Sequence, residues 1–560
     1  MNRLNNYLNE LSVAFICSNL SNCQKCFTLQ LVNTIFPLDF DDFRSIKQNN
    51  GISIDEYQKI LSNINEKGKL RKSKGVYYTD DDVTNFLVAN SFLQYTLSGT
   101  NKVYAFNQAF NLLKSKCDMQ KVINVSVFDP TCGAGQFLIS SLKIKLSLLK
   151  IQKSNILDND YLMIVNSLFG NDISELSIKI TQCRIFSLIA PKLNSLYSLK
   201  KLVIILKHNF SSYDFVYDIP KQLDNKFDII LGNPPYVEYK DLDKRPLYML
   251  YNSYANVLYN ASYFLKEHSF VSFVVPISFV STKRMDKIRK FFYELYSKIT
   301  VLNFSDRPDC LFDGVHQKLS LILSEKNSHS NLCNIFSSSY KYWYKSERPE
   351  IFNNLEILRL ENKFINEFDD QIPKISNCME LSIIKKLTLK KNISLKSILE
   401  NKEKLLNKQL FLNMRQTFWC KCFSYNPGTS GYKCFNVDSR YYYIVLCLLN
   451  SSLFYFFWVI VSDCWHITNK ELSLLKVPQL SNDTSDNFKC YEQLSKLLEK
   501  ELELTKKYVG TVQVAYEYKH KSCKHLIDQI DDKLGQLFNL SEKEIEYIKN
   551  YNLKYRIGNE

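Results

Sequence analysis

Residues 233–236 read Asn-Pro-Pro-Tyr, one glycine after the apolar run FDIIL. Two adjacent prolines fix φ, lack N–H donors and stop any regular element. Their carbonyls point where the fold dictates, and the side-chain oxygen of Asn233 is a neutral acceptor. Asn233 Oδ1 and the Pro234 carbonyl together can accept both hydrogens of an NH2 group, with Pro235 stiffening the corner. That draws the nitrogen lone pair out of conjugation and aims it. Tyr236 offers a flat face for a planar substrate. Such a corner suits delivery of a methyl group from a sulfonium to nitrogen. The transfer is downhill, so no strong base is needed and the proton can leave afterwards. A plain proline turn is the competing reading, and the position at the end of a strand-like run weighs against it.

Two further stretches carry chemistry. In VFDPTCGAGQFLIS, residues 127–140, a strand ends at Asp129, a tight loop carries Gly133 and Gly135, and a helix follows. Open α/β sheets receive nucleotide-like ligands at such a turn, where glycines let the backbone approach the ligand. Leu138 stands where a dinucleotide fingerprint would have its third glycine, and no Gly-Lys-Ser/Thr follows, which disfavours NAD and ATP. In LFGNDIS, Asp172 closes a second strand, where a carboxylate can accept both ribose hydroxyls of a nucleoside. Alone, Asp172 reads equally as a helix N-terminal acid.

The elements that position these residues alternate. Strands are expected at VINVSVFD, at the end of the helical stretch YLMIVNSLFGND, at KLVIILKHNF, at FDIILGN and at SFVSFVVP, with helices at QFLISSLKIKLSLLK and SELSIKITQCRIFSLIA. Alternating β and α elements predict a doubly wound α/β sheet. Residues 1–70 read as a helical extension, with Asp55 a candidate N-cap, and a basic loop, KGKLRKSKG, leads into VYYTD. The α/β pattern spans 71–335, a mixed α+β region rich in Tyr, Phe and Cys spans 336–487, and a helical segment spans 488–560.

The formal charge of +15 points to a polyanionic partner, although a merely basic protein shares it. Sixteen cysteines show no disulfide-like spacing, and the opening MNRLNNYLNELS lacks the build of an export signal. Reduced thiols in a cytoplasm are therefore expected. Neither the Cys23/Cys26 pair nor the Cys420, Cys422, Cys434 group has a second half with zinc spacing, so no metal site is assigned. Residues 441–461 carry no charge over a membrane-spanning length, but Asn450, Ser451 and Ser452 in the middle suit a turn between two buried helices.

The order GVYYTD, FDPTCGAGQF, GNDIS, HNF, GNPPY, FVVPISFV and LFDGVHQKLSLIL resembles the N6-adenine-specific DNA methyltransferases that begin with the cofactor motif, including type II modification enzymes and Eco57I-like methylases. The likeness is strong over 71–330, weaker at LCLLNSSLFYFF and KELSLLKVPQL, which look like a target-recognition domain, and is seen again in the terminal IDQIDDKLGQLFNLSEKEIEYI. The resemblance implies a Rossmann-like methyltransferase sheet, S-adenosyl-L-methionine as methyl donor, double-stranded DNA as substrate and a separate restriction endonuclease as a further partner. It implies a bacterial cytoplasmic, nucleoid-associated enzyme.

It also implies roles. Tyr78 and Thr79 lie by the methionine end of the cofactor, Asp129, Gly133 and Gly135 shape its pocket, and Asp172 holds the ribose. Asn209 and Phe210 stand where the family has Asp-Phe, which contacts the cofactor's adenine, and Asp80 stands where it has Pro. Asn233, Pro234, Pro235 and Tyr236 hold the target adenine. Phe312 is the second aromatic wall of a sandwich for a flipped base. His316 is placed to touch phosphate, and Lys318 reads as a solvated surface charge. Glu400-Asn401-Lys402 is an isolated match to a nuclease pattern, so no fused nuclease is expected. Three alternatives stand beside this reading: a protein glutamine methyltransferase, which shares the tetrapeptide, an RNA adenine methyltransferase, and a catalytically silent DNA-binding relative.

Overall fold

The computed structural model describes residues 53–64, 79–97, 99–217, 226–238, 250–312, 315–330, 332–400, 407–480, 485–510 and 515–558. The Cys23/Cys26 pair, the basic loop, Tyr78 and most of the N-terminal extension lie outside the described residues. Within that extension Ile54–Ile64 is a helix. Its cap is Ser53, whose Oγ accepts from Glu56 N at 3.2 Å. Asp55 instead sits in the first turn, where a carboxylate complements the helix dipole.

Nine strands form one sheet among the described residues: β1 Val127–Asp129, β2 Leu168–Asn171, β3 Phe210–Ser211, β4 Phe227–Gly232, β5 Leu265–Pro276, β6 Tyr296–Phe304, β7 Leu319–Lys326, β8 Asn334–Lys341 and β9 Leu358–Leu360. Their order is β3-β2-β1-β4-β5-β7-β6-β8-β9. Strands β1 to β5 pair in parallel. β7 runs antiparallel to both β5 and β6, so β6 again points the same way as β5. The chain winds outward on either side of β1 and β4, and such a switch point opens a crevice at the carboxyl ends of the strands. The expected doubly wound α/β fold is therefore present. The sheet also crosses the expected boundary at residue 335, because β8 and β9 extend it.

Two strand expectations are corrected. KLVIILKHNF lies mainly in the helix Leu196–Asn209, with only Phe210 passing into β3. Leu199, Leu202, Val203 and Leu206 are buried at three- and four-residue spacing, while Ile204 is 58% exposed. That is a helical stripe, and Ser195 caps it by accepting from Ser198 N at 3.1 Å. VINVSVFD begins in the short helix Met119–Asn124 and reaches β1 only at Val127.

One apolar core lies against one face of the sheet and continues from Phe128 through the aromatic region to Tyr551. A second covers the other face and includes helices Asp81–Thr96, Gln136–Gln152 and Glu175–Ile189. Downstream, a three-stranded antiparallel sheet precedes two apolar helices, Tyr442–Leu449 and Ser452–Val461, and helices dominate from Ser485 to Ile557. The two apolar helices are bent by 65° at Asn450-Ser451, as the polar triplet predicts. Asn450 Nδ2 donates to Cys422 O at 2.8 Å, and Asp531 accepts from Leu453 N at 3.1 Å. No single helix among the described residues is long and apolar enough to cross a membrane.

Glu544 ties the terminal helices to helix Cys378–Leu387. It accepts from Ser382 Oγ at 2.7 Å, Lys386 Nζ at 2.6 Å and Ser541 N at 2.7 Å. Burial would raise its carboxyl, but these donors outweigh that and hold it at about 2. A carboxylate depressed in the folded state adds stability above its unfolded value, and that stability is lost as pH falls from about 4.5 toward 2. Glu544→Gln is therefore expected to lower the melting temperature at pH 7 but to flatten its fall between pH 5 and pH 3, read by calorimetry. Parallel pH dependence in both proteins would show that the contact does not carry the effect.

Candidate functional site

The carboxyl ends of β1, β2 and β4 meet. Gly232 ends β4, and a Cβ there would lie 2.6 Å from Asp129 Oδ1, so only glycine lets the two strand ends approach. Asp129 is 1% exposed and accepts from Thr131 N at 3.1 Å. Burial pushes its carboxyl well above the usual range, the Thr131 N–H opposes this, and the charge of Asp172 adds to it. The loop then closes tightly, with Gly135 N donating to Cys132 O at 2.7 Å. Gly135 begins helix Gln136–Gln152 with φ +80°, and a Cβ there would meet Thr181 Cγ2 at 2.6 Å. Gly133 has φ +55°, and among the described residues nothing lies within 4 Å of its missing Cβ, which leaves open space over the loop.

Asp172 faces that loop. Its Oδ2 accepts from Gly133 N at 2.9 Å and its Oδ1 from Ser174 N at 2.8 Å. Asn171, 1% exposed, joins three strand ends. Its Nδ2 donates to Pro130 O at 3.0 Å and to Tyr213 O at 3.1 Å, and its Oδ1 accepts from Tyr213 N at 3.2 Å. Sequence reasoning passed over Asn171, and an amide directly before the candidate carboxylate Asp172 was the available signal. It also missed Arg184. That guanidinium donates to Ala134 O at 2.6 Å and to Gln58 Oε1 at 2.9 Å, and so braces the loop against helix Ile54–Ile64.

Asn233 follows Gly232. Its Nδ2 donates to Thr79 Oγ1 at 3.0 Å, linking the tetrapeptide to the start of helix Asp81–Thr96. Its Oδ1 accepts from the Tyr236 hydroxyl, which is also 3.2 Å from Val274 O. The Tyr236 ring meets Tyr254 edge-on at 6.4 Å. Ser253 pins the corner, donating to Pro235 O while its Oγ accepts from Val237 N at 2.9 Å. Asp80, at the departure from the family pattern, pairs with Arg348 at 3.0 Å, which also pairs with Asp82 at 2.6 Å.

Three expected placements are corrected. Asn209 is 6% exposed, and its Nδ2 donates to Asn166 O at 3.1 Å and Leu168 O at 3.0 Å, at the amino end of β2. Its Oδ1 lies 3.1 Å from His208 Nδ1, so this amide braces the helix end and does not join the carboxyl-end group. Phe210 beside it lies against Gly170, where a Cβ would come 2.8 Å from its ring. Phe312 is 1% exposed within the apolar core and presents no open wall. Lys318 is not a solvated charge, since its ammonium pairs with buried Asp306 at 3.1 Å. His316 remains exposed, with Nδ1 3.2 Å from Asp306 O.

The donor set around the loop fits a polar, nucleoside-bearing ligand. Among the described residues, Thr131 Oγ1 and Gln136 Oε1 are buried without a hydrogen-bond partner, and buried polar groups are ordinarily satisfied.

Residues 166–310, which include Asp172 and the tetrapeptide, match the family model described as Eco57I restriction-modification methylase. The chain is similar to the type II methyltransferase M.HincII of Haemophilus influenzae, 30% identical over 164 residues that make up 26% of this chain and 31% of that protein. It is also similar to a Methanocaldococcus jannaschii protein described as a putative type II restriction enzyme and methyltransferase, 23% identical over 155 residues, 23% of this chain and 13% of that protein. The chain thus spans about a third or less of the curated relatives it matches. Among solved structures, the type IIL restriction-modification enzyme MmeI in complex with DNA superposes with a TM-score of 0.51, covering 90% of this chain and 82% of that one at 12% identity. At that identity the likeness shows the fold.

Proposed function

We propose that this chain is a restriction-modification type DNA methyltransferase that transfers a methyl group from S-adenosyl-L-methionine to N6 of an adenine turned out of the duplex. The observation that carries this reading is the juxtaposition at the carboxyl edge: Asn233 directly follows Gly232, whose missing Cβ leaves room for Asp129, while Asp172 holds Gly133. S-adenosyl-L-methionine supplies an electrophilic methyl carbon on a sulfonium. Asp172 accepts the ribose hydroxyls, and the open face over Gly133 admits the ligand. Thr79 accepts from the Asn233 Nδ2 and so orients the amide, and Oδ1, which accepts from the Tyr236 hydroxyl, is the atom that takes the target amine in its place. No hydrogen bond to the Pro234 carbonyl is made among the described residues, which leaves it available as the second acceptor.

Positioning and paired acceptors supply most of the catalysis, because they favour the pyramidal attacking nitrogen over the planar ground state. The ring of Tyr236 stacks on the base and offsets its lost stacking in the duplex. Phosphates are met by basic side chains, among them His316, so salt is expected to weaken binding steeply. The region after β9, through about residue 487, reads the target sequence in the major groove.

The test is modification-sensitive sequencing of DNA from a methylation-free host expressing the chain. N6-methyladenine in one short recurrent motif supports the reading. Its absence from well-folded protein would turn the assignment toward a protein glutamine or RNA adenine substrate, or toward a silent DNA-binding relative.

A further inference from the structure

Trp465 differs from the other tryptophans. Trp343, Trp419 and Trp458 are 1%, 9% and 0% exposed, whereas Trp465 is 39% exposed. Its loop, after helix Ser452–Val461, is firmly built. Asp463 Oδ1 accepts from both Trp465 N and His466 N at 2.9 Å, and Ser462 Oγ accepts from Cys464 N at 2.9 Å. Gln416 N donates to Trp465 O at 3.0 Å, and Trp458 Nε1 donates to His466 O at 3.0 Å. A large apolar ring is thus held toward solvent by a rigid frame.

The ring also stands at the carboxyl edge of the sheet. The ammonium of Lys318 lies 4.1 Å from its centroid and is held there by Asp306 at 3.1 Å. Lys318 O accepts from Ile277 N at 3.0 Å, just past the end of β5. Three residues earlier, Val274 O lies 3.2 Å from the Tyr236 hydroxyl. A short run of backbone therefore joins the Trp465 platform to the tetrapeptide. Exposed basic side chains stand on the adjoining segments: Arg307 follows Asp306, His316 contacts Asp306 O, and the backbone of Arg415 pairs with that of His466.

We infer that Trp465 meets the DNA duplex beside the target base, stacking on a nucleobase there while the exposed Arg307 and Arg415 on the adjoining segments meet phosphate. This rests on the reading under Proposed function and adds a positioning residue to it. Every base has a π-face, so the contact is sequence-tolerant and steadies the distorted duplex without choosing the site. The fixed loop and the cation–π contact order the ring beforehand, so little conformational freedom is lost on binding.

Intrinsic fluorescence isolates this residue, because the other three tryptophans are buried. Acrylamide quenching of the full chain is measured with sheared double-stranded DNA, and with heparin as a polyanion control. DNA is expected to shield the emission and heparin to leave it accessible, with the shielded component lost in Trp465→Phe. Trp465→Ala is expected to raise KM for DNA about tenfold, with kcat and cofactor affinity little changed, and Trp465→Phe to restore most of it. DNA that is bound and methylated while Trp465 stays accessible would overturn the inference alone, as would wild-type KM in Trp465→Ala. Equal shielding by heparin would replace base stacking with simple polyanion contact. If the wild-type chain neither binds nor methylates DNA, the functional reading fails and this inference with it.

Discussion

Asn233→Ala is expected to lower kcat for methyl transfer by about 10²–10³-fold or more, while the dissociation constant for S-adenosyl-L-methionine stays within about tenfold of wild type. The two effects separate because the amide faces two ways. Its Nδ2 donates to Thr79 Oγ1 at 3.0 Å, a neutral hydrogen bond on the side assigned to the cofactor. Its Oδ1, now occupied by the Tyr236 hydroxyl, is the atom assigned to the target amine. Single-turnover methylation gives the first quantity and calorimetric titration of the cofactor gives the second. Equal loss of both would mean that the residue only shapes the pocket. Tyr236→Phe is the matching control. It removes the hydroxyl that competes for Oδ1 but keeps the stacking face, so turnover is expected to survive there and to collapse in Tyr236→Ala. Collapse in both would assign the hydroxyl itself to the reaction.

Asp172→Ala is expected to raise the cofactor dissociation constant by roughly ten- to a hundredfold, the range set by losing hydrogen bonds to a charged acceptor. The carboxylate has two tasks here. One oxygen accepts from Gly133 N at 2.9 Å and holds the loop, and the other accepts from Ser174 N at 2.8 Å at the start of the following helix. Asp172→Asn separates them, since an amide oxygen can still accept from Gly133 while the charge on the ribose hydroxyls is lost. Asn is therefore expected to fall between Ala and wild type in cofactor affinity, with a melting temperature below wild type because its Nδ2 then faces the Ser174 N–H. An unchanged dissociation constant in Asp172→Ala would place the ribose elsewhere.

Some of this molecule was legible residue by residue. The Asn-Pro-Pro-Tyr corner, the glycines after β1 and the Asn-Ser-Ser break at 450–452 could be read because their demands are local. Proline fixes φ, glycine accepts the left-handed conformation, and short polar side chains compete with the helix backbone wherever they stand. The helix Leu196–Asn209 was misread as a strand because a short apolar run carries no periodicity of its own. Only the wider window, from the Ser195 cap to His208, shows the stripe that faces the sheet.

The sequence by itself determined which residue types stand at each strand end, and with them the class of chemistry that the carboxyl edge can support. Tertiary structure alone decided which of those side chains face one another. Asn209 turns to the amino end of β2, Phe312 sinks into the core, and Lys318 pairs with Asp306 under Trp465. Arg184, far along the chain from Gln58, braces the loop that the glycines open. The reason is physical. A backbone preference is a property of a few neighbouring residues, whereas burial and pairing depend on surfaces brought together from distant parts of the chain. A buried charge or amide is tolerated only where the fold supplies its partner.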